Sequence, residues 1–168
     1  MKPEITQQEL KEYLNYNPDT GIFTWTSKIG NRGVKPDRIA GCIDKDDGYV
    51  KIRLAGVGYR AHRLAWIYMT GSAPEKFIDH KNRDRTDNRW ENLREADSFQ
   101  NNWNCAAMPN KIVPYKGVCW DPKRQKYYAR IWQNKKRILL GRYDTAEEAH
   151  KAYCDAVSKY RGEFGYTG

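Results

Sequence analysis

Residues Phe77 to Asn104, FIDHKNRDRTDNRWENLREADSFQNNWN, constrain this chain more than any other stretch. A short apolar run ends in an adjacent carboxylate and imidazole, Asp79 and His80. A loop crowded with charge follows, carrying Lys81, Arg83, Asp84, Arg85, Asp87 and Arg89. Phe77 to Asp79 reads as a strand, His80 to Glu91 as the loop, and Leu93 to Ala96 as a second strand. A helix then opens at Ser98, a fitting N-cap, and carries Phe99, Asn101, Asn102 and Trp103. Strand, loop, strand and helix in that order would bring both ends of the stretch into one small site.

The Asp79-His80 pair, Asn92 in Glu91-Asn92-Leu93-Arg94 and Asn101 in the helix resemble the HNH nuclease family in order and spacing. The variant is the phage and homing one, in which the final His of the ββα-metal finger is an Asn. By this resemblance the catalytic set is His80, Asp79, Asn92 and Asn101, and the metal ligands are Asp79 and Asn101. Phosphodiester hydrolysis needs a nucleophilic water and a cation on the developing charge of the leaving oxygen. A carboxylate and an amide carbonyl suit Mg²⁺, which keeps several waters and takes few protein ligands, with Mn²⁺ open. His80 points off the opposite side of its strand from Asp79, since side chains alternate, so it can serve as base without ligating the metal. Asn92, by the resemblance, ties the loop and holds the His80 segment.

The net charge of +9 over 168 residues and an isoelectric point near 9.4 call for a polyanionic partner. No apolar run reaches membrane-spanning length, and MKPEITQQEL lacks the apolar core of a signal peptide, which predicts a cytoplasmic protein, in the host cytoplasm if phage-encoded. Cys42, Cys105, Cys119 and Cys154 are too widely spaced for a zinc framework and read as reduced, small hydrophobes.

In chain order, Thr6-Gln7-Gln8-Glu9 is a capping box opening a helix through Leu14. Asn17 to Gly21 is a turn and Ile22 to Thr26 a strand, followed by a basic loop with Lys28, Arg32, Lys35 and Arg38. Cys42-Ile43, Tyr49 to Leu54 and Tyr59 to His62 read as strands, and His62 to Met69 as a buried helix closed by Gly71. The segment resembles the leader that precedes the finger in many phage HNH proteins. His62 is read as a packed, hydrogen-bonded structural histidine outside the catalytic set.

Ala106 to Pro114, with two prolines and no periodicity, is the natural linker between a nuclease domain (1–105) and a second domain (115–168). Residues 1–105 carry 17 basic and 15 acidic side chains, and residues 106–168 carry 13 and 6, so most of the excess charge sits in the smaller piece. There, Lys116 to Trp120, Lys126 to Trp132 and Arg137 to Tyr143 read as three strands. The middle one alternates Lys126, Tyr128, Arg130 and Trp132 against Tyr127, Ala129 and Ile131. A helix opened by the capping box Thr145-Ala146-Glu147-Glu148 places Ala149, Ala152, Tyr153, Ala156, Val157 and Tyr160 on one side, suited to cover the second face. The first face stays open, basic and aromatic, fit for a DNA major groove.

YKGVCWDPKRQKYYARIWQNKKRILLGRYDTAEEAHKAYCDAV resembles the Apetala-two domain of plant ethylene-response factors, through Tyr-Lys-Gly-Val, Ala-Arg-Ile, Leu-Gly and Asp-Thr-Ala-Glu-Glu-Ala. The resemblance implies DNA contacts at Lys116, Arg124, Lys126, Tyr128, Arg130, Trp132 and Arg137. Lys replaces Arg in the opening phrase and Cys119 stands where the plant pattern has a basic residue, so plant target sequences do not carry over. The expectation is an α+β protein acting as an HNH-type, metal-dependent endonuclease on double-stranded DNA, off the membrane, with a monomer favoured over a dimer and both nicking and double-strand cutting left open. The rival class is a non-catalytic DNA-binding regulator using the finger as a scaffold. An RNA-directed nuclease fits less well, because a sheet face suits the wide groove of B-form DNA.

Overall fold

The computed structural model describes residues 5–27, 35–104, 113–133 and 136–167. The expected linker falls mostly outside them, as do Cys105 and, in the basic loop, Lys28 and Arg32. The chain forms two compact units, Met1–Asp97 and Ser98–Gly168, each α+β with small antiparallel sheets.

The first unit opens with helix α1 (Gln7–Tyr13), where the expected capping box forms: Glu9 donates its amide to Thr6 Oγ1 and returns its carboxylate to the Thr6 amide. Strand β1 (Leu14–Asn17) starts directly at the helix end and pairs with β2 (Ile22–Trp25). Sequence reading ran α1 into Leu14 and missed β1. Its four residues bury Leu14 and Tyr16 by period-two alternation, a pattern too short to separate from the helix before it. Strands β3 (Cys42–Ile43), β4 (Val50–Leu54) and β5 (Val57–Arg60) form a meander. Helix α2 (Ala61–Thr70) follows and buries Ala61, His62, Leu64, Ala65 and Ile67 before a left-handed Gly71 stops it. Leu10, Leu14, Phe23, Ile52, Leu64, Ile78 and Leu93 share one core. That core fixes β6 (Phe77–His80) and its partner β7 (Leu93–Ala96), paired Asp79 to Arg94 and His80 to Leu93.

Gly21 brings the β1–β2 turn against the charged loop. Its φ is +71°, and a Cβ there would lie 2.4 Å from backbone atoms of Asn88 and Arg89. The Trp90 amide donates to the Pro18 carbonyl at 2.9 Å across the same approach.

The second unit begins with α3 (Ser98–Trp103). Contacts group this helix with the elements that follow it. The physical reason is local: the Trp103 carbonyl accepts from Lys116 Nζ at 2.8 Å, and the Arg161 guanidinium sits 5.3 Å from the Trp103 ring. Strands β8 (Val118–Asp121), β9 (Lys126–Gln133) and β10 (Lys136–Tyr143) form a sheet ordered β10-β9-β8, covered on one face by α4 (Ala146–Arg161). Val118, Ala129, Ile131, Ala149, Tyr153 and Val157 make the core between sheet and helix. Gly117, at φ +77°, lets the chain pass over Tyr153, whose ring a Cβ would meet at 2.1 Å.

Candidate active site and nucleic-acid interface

Asp79 and His80 occupy the end of β6 and, as alternation requires, face opposite ways. Both are buried, as are Asn88, Asn92 and Arg94. So many buried polar groups in so small a unit need partners, and the described structure supplies them. Asp79 Oδ2 accepts from Arg94 Nε at 3.0 Å and from Nη2 at 2.8 Å, an ion pair formed across the β6–β7 register. On the other face, His80 Nε2 lies 3.3 Å from Asn88 Oδ1. Burial pulls the His80 pKa below its ordinary value, and the Asn88 bond and the Asp79 charge pull it back up.

Asn92 staples the loop between the strands. Its Oδ1 accepts the Asn82 amide at 3.0 Å, and its Nδ2 donates to Asn82 Oδ1 at 3.0 Å and to the Asp87 carbonyl at 2.8 Å. Asp87 in turn accepts from Arg89 Nε at 2.9 Å and Asn82 Nδ2 at 2.7 Å; the Arg89 bond holds its carboxyl down at about 2. The charged loop is thus a closed hydrogen-bonded ring ending at the foot of His80.

His62 lies edge-on to His80, ring centroids 5.1 Å apart, and Tyr49 touches both, at 5.0 and 5.8 Å. Arg60 and Arg85 sit 4.6 and 4.9 Å from the Tyr49 ring. The expectation of a hydrogen-bonded His62 fails at one nitrogen: buried Nδ1 has no partner among the described residues. Burial, then the neighbouring His80, presses its pKa down to about 3, so it is neutral at physiological pH.

Asn101 lies half-buried on α3 in the second unit. Among the described residues no group of three or more His, Cys, Asp or Glu is placed to hold a metal. What the sequence nominated, a carboxylate and an amide carbonyl, is a sparse set of hard oxygens. A carboxylate such as that of Asp79 is a donor of the type that Mg²⁺ takes.

The second unit presents the other surface. Tyr128, Arg130, Arg137, Leu139 and Arg142 line a groove of about 590 Å³ on the sheet face away from α4. Trp132 is exposed, and the Arg130 guanidinium lies 5.8 Å from the Tyr128 ring. Of the expected contacts, Tyr128, Arg130, Trp132 and Arg137 gather on this face. Lys126 pairs with Asp144, and Arg124 sits in the β8–β9 turn paired with Asp121 at 3.2 Å. Lys116 precedes β8 and spends its ammonium on Trp103.

Sequence reasoning missed Arg142. Strict alternation on β10 would set it with Ile138 and Leu140, facing α4. The register instead slips between Leu139 and Gly141, a bulge that pairs Arg142 with Tyr128 and Tyr143 with Tyr127. Arg142 thereby reaches the groove and Tyr143 packs on the core. The signal was present as a glycine inside a strand, a frequent mark of a bulge.

Residues 59–102 match the HNH endonuclease family, and residues 114–163 match the AP2 domain. A solved structure of the HNH homing endonuclease I-HmuI, concerned with DNA binding and cleavage, is similar at 26% identity and a TM-score of 0.41. The match covers 55% of this chain and 51% of that one, about half its length. No helix among the described residues is long and apolar enough to cross a membrane.

Proposed function

This chain joins an HNH endonuclease segment to an AP2 domain, and from that pairing we propose a metal-dependent endonuclease of double-stranded DNA, of the phage or mobile free-standing kind. The observation that carries the reading is His80 itself: a buried imidazole, its pKa lowered by that burial, held at a strand end by a side-chain hydrogen bond. A histidine serving only structure needs no such neighbour as the Asp79 carboxylate beside it in the chain.

In this reading His80 takes a proton from water, so that an O–H bond breaks and an N–H bond forms; the water oxygen bonds to phosphorus as the P–O bond to the leaving sugar oxygen breaks, and that oxygen takes up a proton from solvent. Asp79 is the residue of the first unit that would hold a divalent cation, Mg²⁺ by donor type, which when bound would supply positive charge for the leaving oxygen. Arg94 keeps the Asp79 carboxylate oriented on the strand. Asn92 keeps the loop closed beneath the base. The sheet face of the second unit binds the duplex through Arg130, Arg137, Arg142 and the aromatic rings Tyr128 and Trp132, positioning it through phosphate and groove contacts. One finger per chain favours nicking by a monomer.

Supercoiled plasmid incubated with the protein and Mg²⁺ should convert to open circles, and EDTA should stop the conversion. Absence of cutting with Mg²⁺ or Mn²⁺, alongside intact DNA binding, would move the protein to the regulator class.

A further inference from the structure

We infer that Asn88, with the β1–β2 hairpin behind it, is the positioning residue that fixes which nitrogen of His80 carries the proton. The inference rests on the reading of His80 as the base.

The amide orientation follows from its second bond. Asn88 Nδ2 donates to the Thr86 carbonyl at 3.0 Å, so Oδ1 is the atom turned toward His80. Flipping the amide would press Oδ1 against the Thr86 oxygen, two acceptors with no proton between them. An acceptor facing Nε2 requires the proton there, and it leaves Nδ1 as the basic nitrogen of the neutral ring. Proton transfer from water then forms the Nδ1–H bond, and the Nε2–H to Asn88 bond gains strength as the ring becomes cationic.

Asn88 is itself held from outside its loop. It is 2% exposed, and its carbonyl accepts the Tyr16 hydroxyl at 2.7 Å. Burial, then the charge of Asp87, raises the Tyr16 pKa, so the phenol stays a donor. Gly21, at the turn of the same hairpin, lies flush against the Asn88 backbone, where no Cβ fits. The hairpin thus sets the depth of Asn88, and Asn88 sets the proton on His80. Nothing in the Asp79, Asn92 and Asn101 pattern requires this residue.

The full chain contains three histidines, so imidazole nitrogens can be assigned by nitrogen-15 correlation spectra of the intact protein, with and without Mg²⁺. His80 should show the Nε2–H tautomer. Its Nε2 proton should exchange slowly in the wild type and fast in Asn88→Ala. Single-turnover nicking should fall about 10–100-fold in Asn88→Ala, the usual loss when an imidazole's orienting partner is removed, with DNA affinity unchanged. Asn88→Asp, whose carboxylate still accepts from Nε2, should restore the tautomer and most of the rate. Tyr16→Phe, which removes one hydroxyl and keeps the ring, should give a smaller loss of the same kind. A proton found on Nδ1, or Asn88→Ala with wild-type exchange and rate, overturns the assignment. Because the spectra need no turnover, an inactive wild type showing the Nε2–H tautomer would sink the nuclease reading alone.

Discussion

The two units solve opposite problems. The first buries its polar chemistry: Asp79, His80, Asn88, Asn92 and Arg94 lie inside, each held by named partners. The second buries Val118, Ala129, Ile131, Tyr153 and Val157 and turns Arg130, Arg137 and Arg142 to the open sheet face. Buried polar groups demand complete pairing, whereas an exposed cationic face stands on an apolar core that does not depend on it. Single substitutions should therefore be costly in the first unit and mild for folding in the second.

The sharpest break is at His80. His80→Ala should lower nicking by about 10²–10⁴ while leaving affinity for DNA nearly intact, read by single-turnover kinetics beside a binding titration. Equal loss in both would place His80 in binding. Next comes Arg94→Ala, which leaves the Asp79 carboxylate buried without its counter-charge. It should destabilise the first unit by roughly 3–5 kcal/mol in urea unfolding. A loss under about 1 kcal/mol would mean water reaches Asp79 freely.

Acid should probe the same unit. With His62 depressed to about 3, the unfolded chain takes a proton near its ordinary pKa and the folded protein does not. Stability is then complete above the ordinary value and is lost progressively as pH falls from about 6.5 toward 3. Between pH 7 and 5 the loss from this one group is about 2 kcal/mol, and His62→Gln should remove it. Parallel unfolding midpoints for wild type and His62→Gln across that range would show His62 already charged when folded.

The smallest effect on folding belongs to the open sheet. Arg130, Arg137 and Arg142 replaced together by Ala should cost under about 0.5 kcal/mol each, as exposed substitutions do. If all three meet phosphates, the log–log salt dependence of affinity should flatten by about 3. A slope left unchanged would move DNA binding off this face.

Sequence made much of this legible where one local rule decided the outcome. Both capping boxes form at Thr6 and Thr145, and the β9 alternation sorts Tyr128, Arg130 and Trp132 from Ala129 and Ile131. The strand, loop, strand order around Asp79 and His80 also forms. What stayed hidden depended on partners remote in sequence. Nothing local singled out Asn88, whose partners Tyr16 and His80 come from outside its own turn. No local pattern marked Arg94, which the register sets opposite Asp79. Lys116, nominated for DNA, finds a carbonyl on α3 that no short-range pattern announces.

The bulge in β10 makes chain length, as well as residue type, a variable in what the second unit recognises. Upstream of it, the face is set by Arg137 and Leu139; downstream, Arg142 and Tyr143 take their sides only because one residue has been left unpaired. Losing that residue would exchange them in a single genetic event, sending a phenol to the groove and a guanidinium into the core. One insertion or deletion after Leu139 would therefore change which side chains the open face presents.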